Sequence, residues 1–377
     1  MTRLFCLILI FGLTTSCQRD GEADLEPQLP CSQSLENISY DPQPYELVVP
    51  AGFQPMRIPP SNPLTVEGIA LGRRLFYDPL LSRNGTISCA SCHQLSASMT
   101  DNRSVSTGIE NRTTKRSSMS LLNIGYANKG LFWDGRSPTL EEQVLVPIED
   151  PNEMDESWPN VERKLRCNNS YPDLFRKAFG IQNTREINRH LAAKAIAQFL
   201  RTLVSSGESK FDRVRRGEAF FTEEEAEGFK IFTDDGPDLP DAECGHCHAP
   251  PLFTTHDFLN NGIDPAASYT DFNDKGYGMT SGFTQDNGKF KVPTLRNIFF
   301  TAPYMHDGRF GTLEEVLHHY VSGGHVSPNR DPLIIRHDDP ANPRAYMNEE
   351  HQKQLIAFLH TLTDSAFVAA PAYSDPF

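Results

Sequence analysis

The chain carries the pattern Cys-x-x-Cys-His twice, and this repeated motif restricts its fold more than any other feature. Two cysteines one short turn apart can bond the two vinyl groups of one haem, and the adjoining histidine then reaches the iron. A single Cys-x-x-Cys could instead be a redox dithiol or half of a zinc site. Two copies, each with the immediate histidine, favour two covalently attached c-type haems. The residues concerned are Cys89, Cys92, His93, Cys244, Cys247 and His248.

The two motifs lie in an internal duplication. The segment LGRRLFYDPLLSRNGTISCASCH (71–93) is echoed by EGFKIFTDDGPDLPDAECGHCH (227–248). Further along the chain, DGRSPTLEEQV (134–144) is echoed by DGRFGTLEEVL (307–317). The chain therefore repeats one structural unit.

Helix signals recur at matching places in the two copies. A threonine followed three residues later by glutamate predicts a capping box at Thr139/Glu142 and again at Thr312/Glu315. Each copy also closes with an amphipathic segment, HLAAKAIAQFLRTLVS in the first and EEHQKQLIAFLHTLT in the second. Alternation typical of strands is scarce.

These signals predict an all-α fold of two duplicated cytochrome c-like domains, over 61–215 and 216–377. Each domain would carry one covalent haem, and the haems would flank the domain interface. A chain of 377 residues is long enough for two domains with separate cores.

The N-terminus has the pattern of an export signal. Arg3 is followed by an apolar run from Leu4 to Leu13 and then by small residues that end at Cys17. The run is too short to cross a membrane as a helix. We predict a signal peptide over 1–17, a periplasmic location and a lipid anchor at Cys17, with ordinary cleavage as the alternative. Residues 18–60 are predicted to form a tether and an extended arm.

Two further cysteines, Cys31 and Cys167, remain outside the haem motifs and the export signal. Cys31 and Cys167 form an even pair in an exported chain, so a disulfide is plausible, and two unpaired thiols are the alternative.

The formal charge of −14 argues against nucleic acid or anionic lipid as a partner. It is compatible with docking of a small basic electron carrier. The sequence leaves open whether the chain forms a homodimer.

The sixth coordination position differs between the two predicted haems. No histidine lies between His93 and His190, so we predict an open first site, with Met99 or Met119 as the alternative ligand. After Thr312, Tyr320 shares a helix face with three apolar residues, which points it toward the second haem. A core aromatic residue is the alternative for Tyr320. His318 and His319 fall off that face and are predicted to lie toward solvent.

Two further residues are candidates for chemistry. Glu153 follows the first capping-box helix, and a carboxylate beside bound peroxide could move a proton between its oxygens. A solvated acidic loop is the alternative. Trp133, whose counterpart in the second copy is His306, could relay electrons at a domain junction. A packed aromatic residue is the alternative.

These residues resemble the bacterial dihaem cytochrome c peroxidase family, which includes the methylamine-utilisation enzyme, over about residues 64–363. The motifs that carry the resemblance are the two Cys-x-x-Cys-His sites, FWDGR (132–136), DPNEM (150–154), VPTLRN (292–297), TAPY (301–304) and HDG (306–308). The resemblance implies that the haem on His93 is peroxidatic, that Glu153 is the distal catalytic residue and that Trp133 lies between the haems.

The resemblance also implies a calcium ion at the domain interface. The carbonyl oxygens of Thr301 and Pro303 match two of its ligands. The family's side-chain ligand is an asparagine, but Ser117 occupies that place here, which leaves Asn123 as a substitute.

Two departures from the family pattern bear on activity. Well-studied peroxidases place a methionine where this chain has Tyr320, and in this the chain resembles the methylamine-utilisation enzyme, whose second haem has His/Tyr ligation. Peroxidases that need reductive activation carry a histidine over the first haem, and that residue is absent here. The resemblance therefore implies an iron open to peroxide in the ferric state.

Three functions follow as hypotheses. The first is a cytochrome c peroxidase-type enzyme that reduces hydrogen peroxide to water, with a small c-type cytochrome or cupredoxin as donor. The second is an oxidase of a protein or organic substrate that uses the same haem pair, as the methylamine-utilisation enzyme does. The third is a non-enzymatic electron carrier with both irons six-coordinate.

Overall fold

We analysed a computed structural model, which describes residues 31–236, 240, 242–334 and 347–377. The predicted signal peptide, Cys17 and the first part of the tether lie outside the described residues. Within the described ranges, no helix combines the length and apolar character needed to cross a bilayer.

The described chain is mostly helical, with many short 3₁₀ turns in its loops. The α-helices of the first half are α1 (Val66–Tyr77), α2 (Cys89–Cys92), α3 (Leu140–Glu149), α4 (Trp158–Arg166), α5 (Tyr171–Phe179) and α6 (Arg189–Thr202). Those of the second half are α7 (Lys210–Arg215), α8 (Glu223–Thr233), α9 (Cys244–Cys247), α10 (Gly278–Ser281), α11 (Leu313–Val321), α12 (Glu349–His360) and α13 (Ser365–Val368).

The duplication appears as two equivalent helix pairs. In the first pair, α1 crosses α6 so closely that a Cβ atom on Gly72 would lie 1.9 Å from the carbonyl oxygen of Ala195. In the second, a Cβ atom on Gly228 of α8 would lie 1.9 Å from the carbonyl oxygen of Gln354 on α12. The glycine of the repeated sequence is therefore needed in each half, because any side chain would separate the helices.

The aromatic residue of the same repeat packs equivalently in both halves. Phe76 meets Phe199 edge to face at 5.3 Å between ring centroids. Phe232 meets Phe358 at 5.1 Å. All four side chains are at most 2% exposed, so each pair anchors a separate apolar cluster.

Two clusters of buried apolar residues organise the chain. The first extends from Leu35 to Leu203, and the second from Phe211 to Leu362. Phe367, near the C-terminus, joins the first cluster. The C-terminal segment therefore returns to the first half, where Arg73 of α1 donates from Nε to the Ser374 carbonyl at 2.7 Å. The domain boundary near residue 215 stays a prediction.

The described part of the predicted arm packs on the first cluster. Leu35 is 2% exposed, and its amide donates to the Gln182 carbonyl at 2.8 Å. The disulfide between Cys31 and Cys167 is present and joins the arm to the end of α4, which confirms that pairing.

The all-α prediction needs one correction. Phe258–Leu259 (β1) and Phe290–Lys291 (β2) form a two-stranded antiparallel sheet in which Phe258 pairs with Lys291. With two residues in each strand, alternation was too short to be visible in the sequence.

The two predicted capping boxes differ. Thr312 and Glu315 exchange both hydrogen bonds at the start of α11. At the start of α3, the Thr139 side chain accepts from the Glu142 amide at 3.2 Å. The Glu142 side chain does not return a bond to the Thr139 amide, although both residues lie in the described part of the chain. Both threonines still act as N-caps.

Polar contacts fix the two halves against each other beside the haem motifs. Arg116 donates to Asp134 at 2.6 Å and to Asp274 at 2.7 Å, which joins the first half to the second. The amide of Ser117 donates to the His306 carbonyl at 2.8 Å. The segment around Arg116 and Ser117, which follows the first haem motif along the chain, is therefore held against the second half.

Candidate haem sites

The first Cys-x-x-Cys-His motif begins on α2 and ends with a half-buried histidine, His93. Nδ1 of His93 lies 2.9 Å from the Met99 carbonyl oxygen, which can only accept, so Nδ1 carries the proton. Ser118 Oγ lies 3.2 Å from the same nitrogen. Burial lowers the pKa of His93, which keeps the ring neutral. Nε2 is then the nitrogen available to an iron.

The two methionines considered as alternative ligands take other places. Met99 is fully buried in the first apolar cluster, and its carbonyl fixes the ring of His93. The contact with His93 is thus made by the Met99 backbone, while its side chain is packed among apolar core residues. Met119 lines the cavity of the second motif. These positions favour an open sixth site at the first motif.

Glu153 lies beside the first motif and is held by its backbone. Its carbonyl accepts from the Ile109 amide at 2.8 Å. Burial raises the pKa of the Glu153 carboxyl to about 7, and the charge of Asp150 adds to that shift. The same carboxylate contributes to raising the thiol pKa of Cys89, which places it near the haem attachment point. Glu153 is half-buried, so it is not a fully solvated member of the acidic loop.

The second motif, on α9, repeats the arrangement of the first. Nδ1 of His248 lies 3.1 Å from the Pro293 carbonyl oxygen and 3.3 Å from that of Phe253. Burial lowers the pKa of His248 to about 4, so the ring is neutral. A cavity of about 280 Å³ opens beside it, between the motif and α11.

Tyr320 lines this cavity together with His248. Burial raises the pKa of its phenol to about 12. The side-chain amide of Asn261 donates to the Tyr320 hydroxyl at 3.4 Å and approaches Met305 Sδ at the same distance. Tyr320 thus points inward, as the helix periodicity predicts. The sulfur of Met305 lies close to it and is a second atom that could ligate iron.

The prediction for His319 was wrong. His318 is exposed, but His319 is 7% exposed, and its Nε2 lies 2.9 Å from the Asn261 carbonyl oxygen. The loop that carries Asn261 covers the helix face that apolar periodicity assigned to solvent. His319 therefore holds the residue whose amide contacts Tyr320.

Trp133 contacts both halves of the chain. Its indole Nε1 donates to the Ser117 carbonyl at 2.9 Å, and its own carbonyl accepts from the Lys291 amide at 2.9 Å. It lines the cavity of the second motif, while Ser118, next along the chain from its partner, reaches His93. Trp133 therefore contacts the first-motif side through its indole and the second-motif side through its backbone carbonyl.

The residues present do not fit the calcium site that the resemblance implies. Ser117 Oγ, at the place of the family's asparagine ligand, donates to the Met305 carbonyl at 2.9 Å. The amide of Asn123 pairs with Ser205 through both of its polar atoms, at 2.8 and 2.9 Å. Asn123 is therefore engaged elsewhere, and the substitution suggested from the sequence is not supported.

The loop that carries Thr301 and Pro303 is instead held by an asparagine that the sequence did not single out. Asn102 Nδ2 donates to the carbonyls of Phe300 at 2.7 Å and Ala302 at 2.8 Å. An amide donor thus joins the two halves at this loop.

The donor sets at both motifs fit a covalently attached haem. The four motif cysteines are free, and burial raises the thiol pKa of Cys89 and Cys244 to about 12 and that of Cys92 and Cys247 to about 11. Thiols that ionise so reluctantly are poor redox dithiols. Each pair is followed by a neutral, half-buried histidine whose Nδ1 is fixed by a carbonyl.

Sequence reasoning also missed two polar residues of the second cavity, Lys291 and His256. Lys291 directly precedes the VPTLRN motif, which gives a weak signal. His256 stands in a loop without any recognisable pattern.

Comparisons with known proteins agree with this reading. A family model described as di-haem cytochrome c peroxidase matches residues 66–220. The methylamine utilization protein MauG of Methylorubrum extorquens is 37% identical over 307 residues, which are 81% of this chain and 80% of that protein. The cytochrome c551 peroxidase of Nitrosomonas europaea is 34% identical, over 82% of this chain and 84% of that protein.

A solved structure gives the same result for the fold. The crystal structure of a MauG-like protein associated with microbial copper homeostasis matches with a TM-score of 0.75 at 34% identity. The match covers 88% of this chain and 99% of that one.

The fold and the family comparisons define a dihaem protein with two haems of the c type. The chain belongs to the di-haem cytochrome c peroxidase and MauG family, and it is an oxidoreductase of that family.

Proposed function

We propose that the protein reduces hydrogen peroxide to water, with electrons from a small redox protein. The observation that carries this proposal is the Glu153 carboxyl, whose pKa burial raises to about 7 beside the first motif. The haem on Cys89, Cys92 and His93 would supply the iron to which peroxide binds and the electrons that cleave its O–O bond.

Glu153 would provide the proton chemistry. Reduction of one peroxide consumes two protons and two electrons and yields two waters. A carboxyl with a pKa near 7 is about half ionised at neutral pH, so it can accept a proton from one peroxide oxygen and return it to the other. An ordinary carboxylate would be too weak a base to share its proton in this way.

Trp133 would connect the two halves electronically. Its hydrogen bonds reach Ser117 in the first half and Lys291 in the second, and it lines the second cavity. We assign it to electron exchange between the halves. His248 and Tyr320, which line the same cavity, would hold the iron of the second haem. The net charge of −14 suits a basic donor, either a small c-type cytochrome or a cupredoxin.

A second candidate function is oxidation of a protein or organic substrate with the same haem pair. The observation in its favour is Tyr320, because a phenolate ligand stabilises ferric iron and makes the second haem a poor store of donor electrons. Similarity to the methylamine utilization protein and to a MauG-like protein associated with copper homeostasis supports the same candidate.

The first test is an electron paramagnetic resonance spectrum of the fully ferric mature protein, recorded before and after peroxide is added. One high-spin and one low-spin signal, both changed by peroxide without pre-reduction, support an open His93 site. Two low-spin signals that ignore peroxide contradict it.

Steady-state turnover then separates the two candidates. Peroxide consumption with a reduced small cytochrome above about 1 s⁻¹ supports the peroxidase, since typical enzymes work at 1–10³ s⁻¹. Slower donor turnover, combined with a rapid reaction of ferric protein with peroxide, supports the oxidase. We further propose that the protein is exported to the periplasm and anchored through lipid on Cys17.

A further inference from the structure

Lys291 is a buried cation on β2. The residue is 4% exposed, and its Nζ donates to the His256 carbonyl at 3.2 Å and lies 4.5 Å from the centre of the Phe258 ring. Among the described residues, no carboxylate lies within salt-bridge distance of this Nζ. A lysine in such surroundings is destabilising, because its charge loses hydration without gaining an opposite charge.

The nearest opposite charge is engaged elsewhere. Asp257 acts on Lys291 only through space, and its carboxylate is paired with the exposed Lys129. Burial lowers the pKa of Lys291 to about 8, with Lys129 opposing the effect of Asp257. At neutral pH the side chain is still mostly protonated, so a positive charge remains inside the fold.

His256 provides a second unsatisfied group at the same place. Its Nε2 is buried and has no hydrogen-bond partner within the described ranges. Burial, together with the charges of Lys291 and Lys129, lowers the pKa of His256 to about 4, so the ring is neutral. Buried polar nitrogens are nearly always paired, which indicates that this one has a partner outside the protein atoms.

Both residues line the cavity of the second motif together with His248. The backbone amide of Lys291 donates to the Trp133 carbonyl at 2.9 Å, which fixes β2 beside that residue at the cavity. A buried ammonium and a free imidazole nitrogen match a carboxylate, which accepts from both donors. A c-type haem carries two carboxylates, on its propionate groups, at the edge away from its thioether bonds.

We propose that Lys291 and His256 together bind one propionate carboxylate of the haem that is attached to Cys244 and Cys247. The proposal rests on the two-haem assignment and holds for either candidate function. It gives the buried lysine its counter-charge and the imidazole its partner. A positive charge at this place would also favour the reduced iron and partly offset the phenolate of Tyr320.

The test uses the mature dihaem protein carrying Lys291→Met, His256→Leu or both changes. The propionate bending mode in the resonance Raman spectrum of the second haem reports hydrogen bonding to the carboxylate. Each single change is expected to shift this mode. Lys291→Met is also expected to lower the equilibrium constant for reduction about tenfold, which for one electron is about 59 mV.

Matched controls separate contact from general charge and from misfolding. Lys129→Met removes a neighbouring positive charge that is 46% exposed and should leave the Raman mode unchanged. Lys291→Arg keeps the charge and should retain most of the wild-type potential. Haem content and circular dichroism show whether each variant folds.

Two results would overturn the proposal. One is a Raman mode unchanged in correctly folded Lys291→Met and His256→Leu proteins. The other is a spectral change on adding acetate to the wild-type protein that disappears in both variants, since the site would then serve an external carboxylate. Neither result depends on peroxide turnover, so failure here is distinct from failure of the peroxidase proposal.

Discussion

The side-chain amide of Asn261 donates to the hydroxyl oxygen of Tyr320 over 3.4 Å, and the Asn261 carbonyl is itself held by His319 at 2.9 Å. A residue from a distant loop thus fixes the position of the tyrosine in the second cavity. A hydrogen bond to the phenol oxygen stabilises its ionised form, which is the form that ligates ferric iron. Burial works in the opposite direction and raises the phenol pKa to about 12.

We expect Tyr320→Met to raise the reduction potential of the second haem, because thioether ligation favours ferrous iron more than phenolate does. Spectroelectrochemical titration of the mature protein measures the change. The matched control is Tyr304→Phe, since Tyr304 lines the same cavity but donates its hydroxyl to the Ile298 carbonyl at 3.3 Å. A larger shift in the control than in Tyr320→Met would exclude Tyr320 as the ligand.

Met305 offers a check on the same assignment. Its Sδ lies 3.4 Å from Asn261 Nδ2, close to the tyrosine. We expect Tyr320→Phe to bring a thioether-type low-spin spectrum through Met305, and the double variant with Met305→Leu to lose it. If Met305→Leu alone abolishes the low-spin signal of the wild-type protein, the ligand is Met305 instead.

Glu153→Gln should slow the reaction of the ferric protein with peroxide by about 10²–10⁴-fold, the usual loss when a positioned acid–base group is removed. Gln keeps the size of the side chain but cannot exchange the proton. Stopped-flow absorbance gives the rate constant directly. Glu149→Gln is the control, because Glu149 is an exposed acidic residue four positions earlier. Equal rates in the two variants would remove Glu153 from the mechanism.

The raised pKa of Glu153 also predicts a pH dependence of stability. The carboxyl has an ordinary pKa of 4.5 and a folded value of about 7, so the folded protein binds this proton more tightly than the unfolded chain. Its contribution is therefore complete below about pH 4.5, falls as the pH rises toward about 7, and is constant above that. The Tm of Glu153→Gln should rise relative to the wild-type protein across this window. A Tm difference that does not vary with pH would contradict the burial of this carboxyl, and Glu149→Gln should show no such variation.

Local patterns predicted much of this molecule. The i, i+3, i+4, i+7 pattern of α11 correctly turned Tyr320 inward, and it depends only on spacing within one element. The helix crossings at the repeated Gly72 and Gly228 became visible only in the structure. The disulfide partner of Cys31 could be named because only one other cysteine remained.

Contacts between distant segments were not predictable. His319 was misplaced because the loop around Asn261, about sixty residues earlier, covers its helix face. Asn123 was predicted as a calcium ligand, but its side-chain amide is hydrogen-bonded to Ser205. No sequence pattern near either residue indicates that pairing. Lys291 gave only a weak signal because its burial depends on how β1 and β2 meet the second cavity.

A buried ion pair supports the second motif and gives a further prediction. Arg296 binds Asp212 through two hydrogen bonds of 2.8 Å each, with side chains 0% and 7% exposed. Arg296→Met would leave the carboxylate buried without its partner and should lower the free energy of unfolding by about 3–5 kcal/mol. Guanidinium unfolding of the mature protein, followed by circular dichroism, measures this loss. Adding Asp212→Leu should recover a large part of it, because the uncompensated charge is then gone. As a control, Arg83→Met breaks an exposed ion pair with Glu110 and should lower the free energy of unfolding by only about 0–1 kcal/mol. Equal losses in Arg83→Met and Arg296→Met would mean that the buried pair does not hold this part of the fold together.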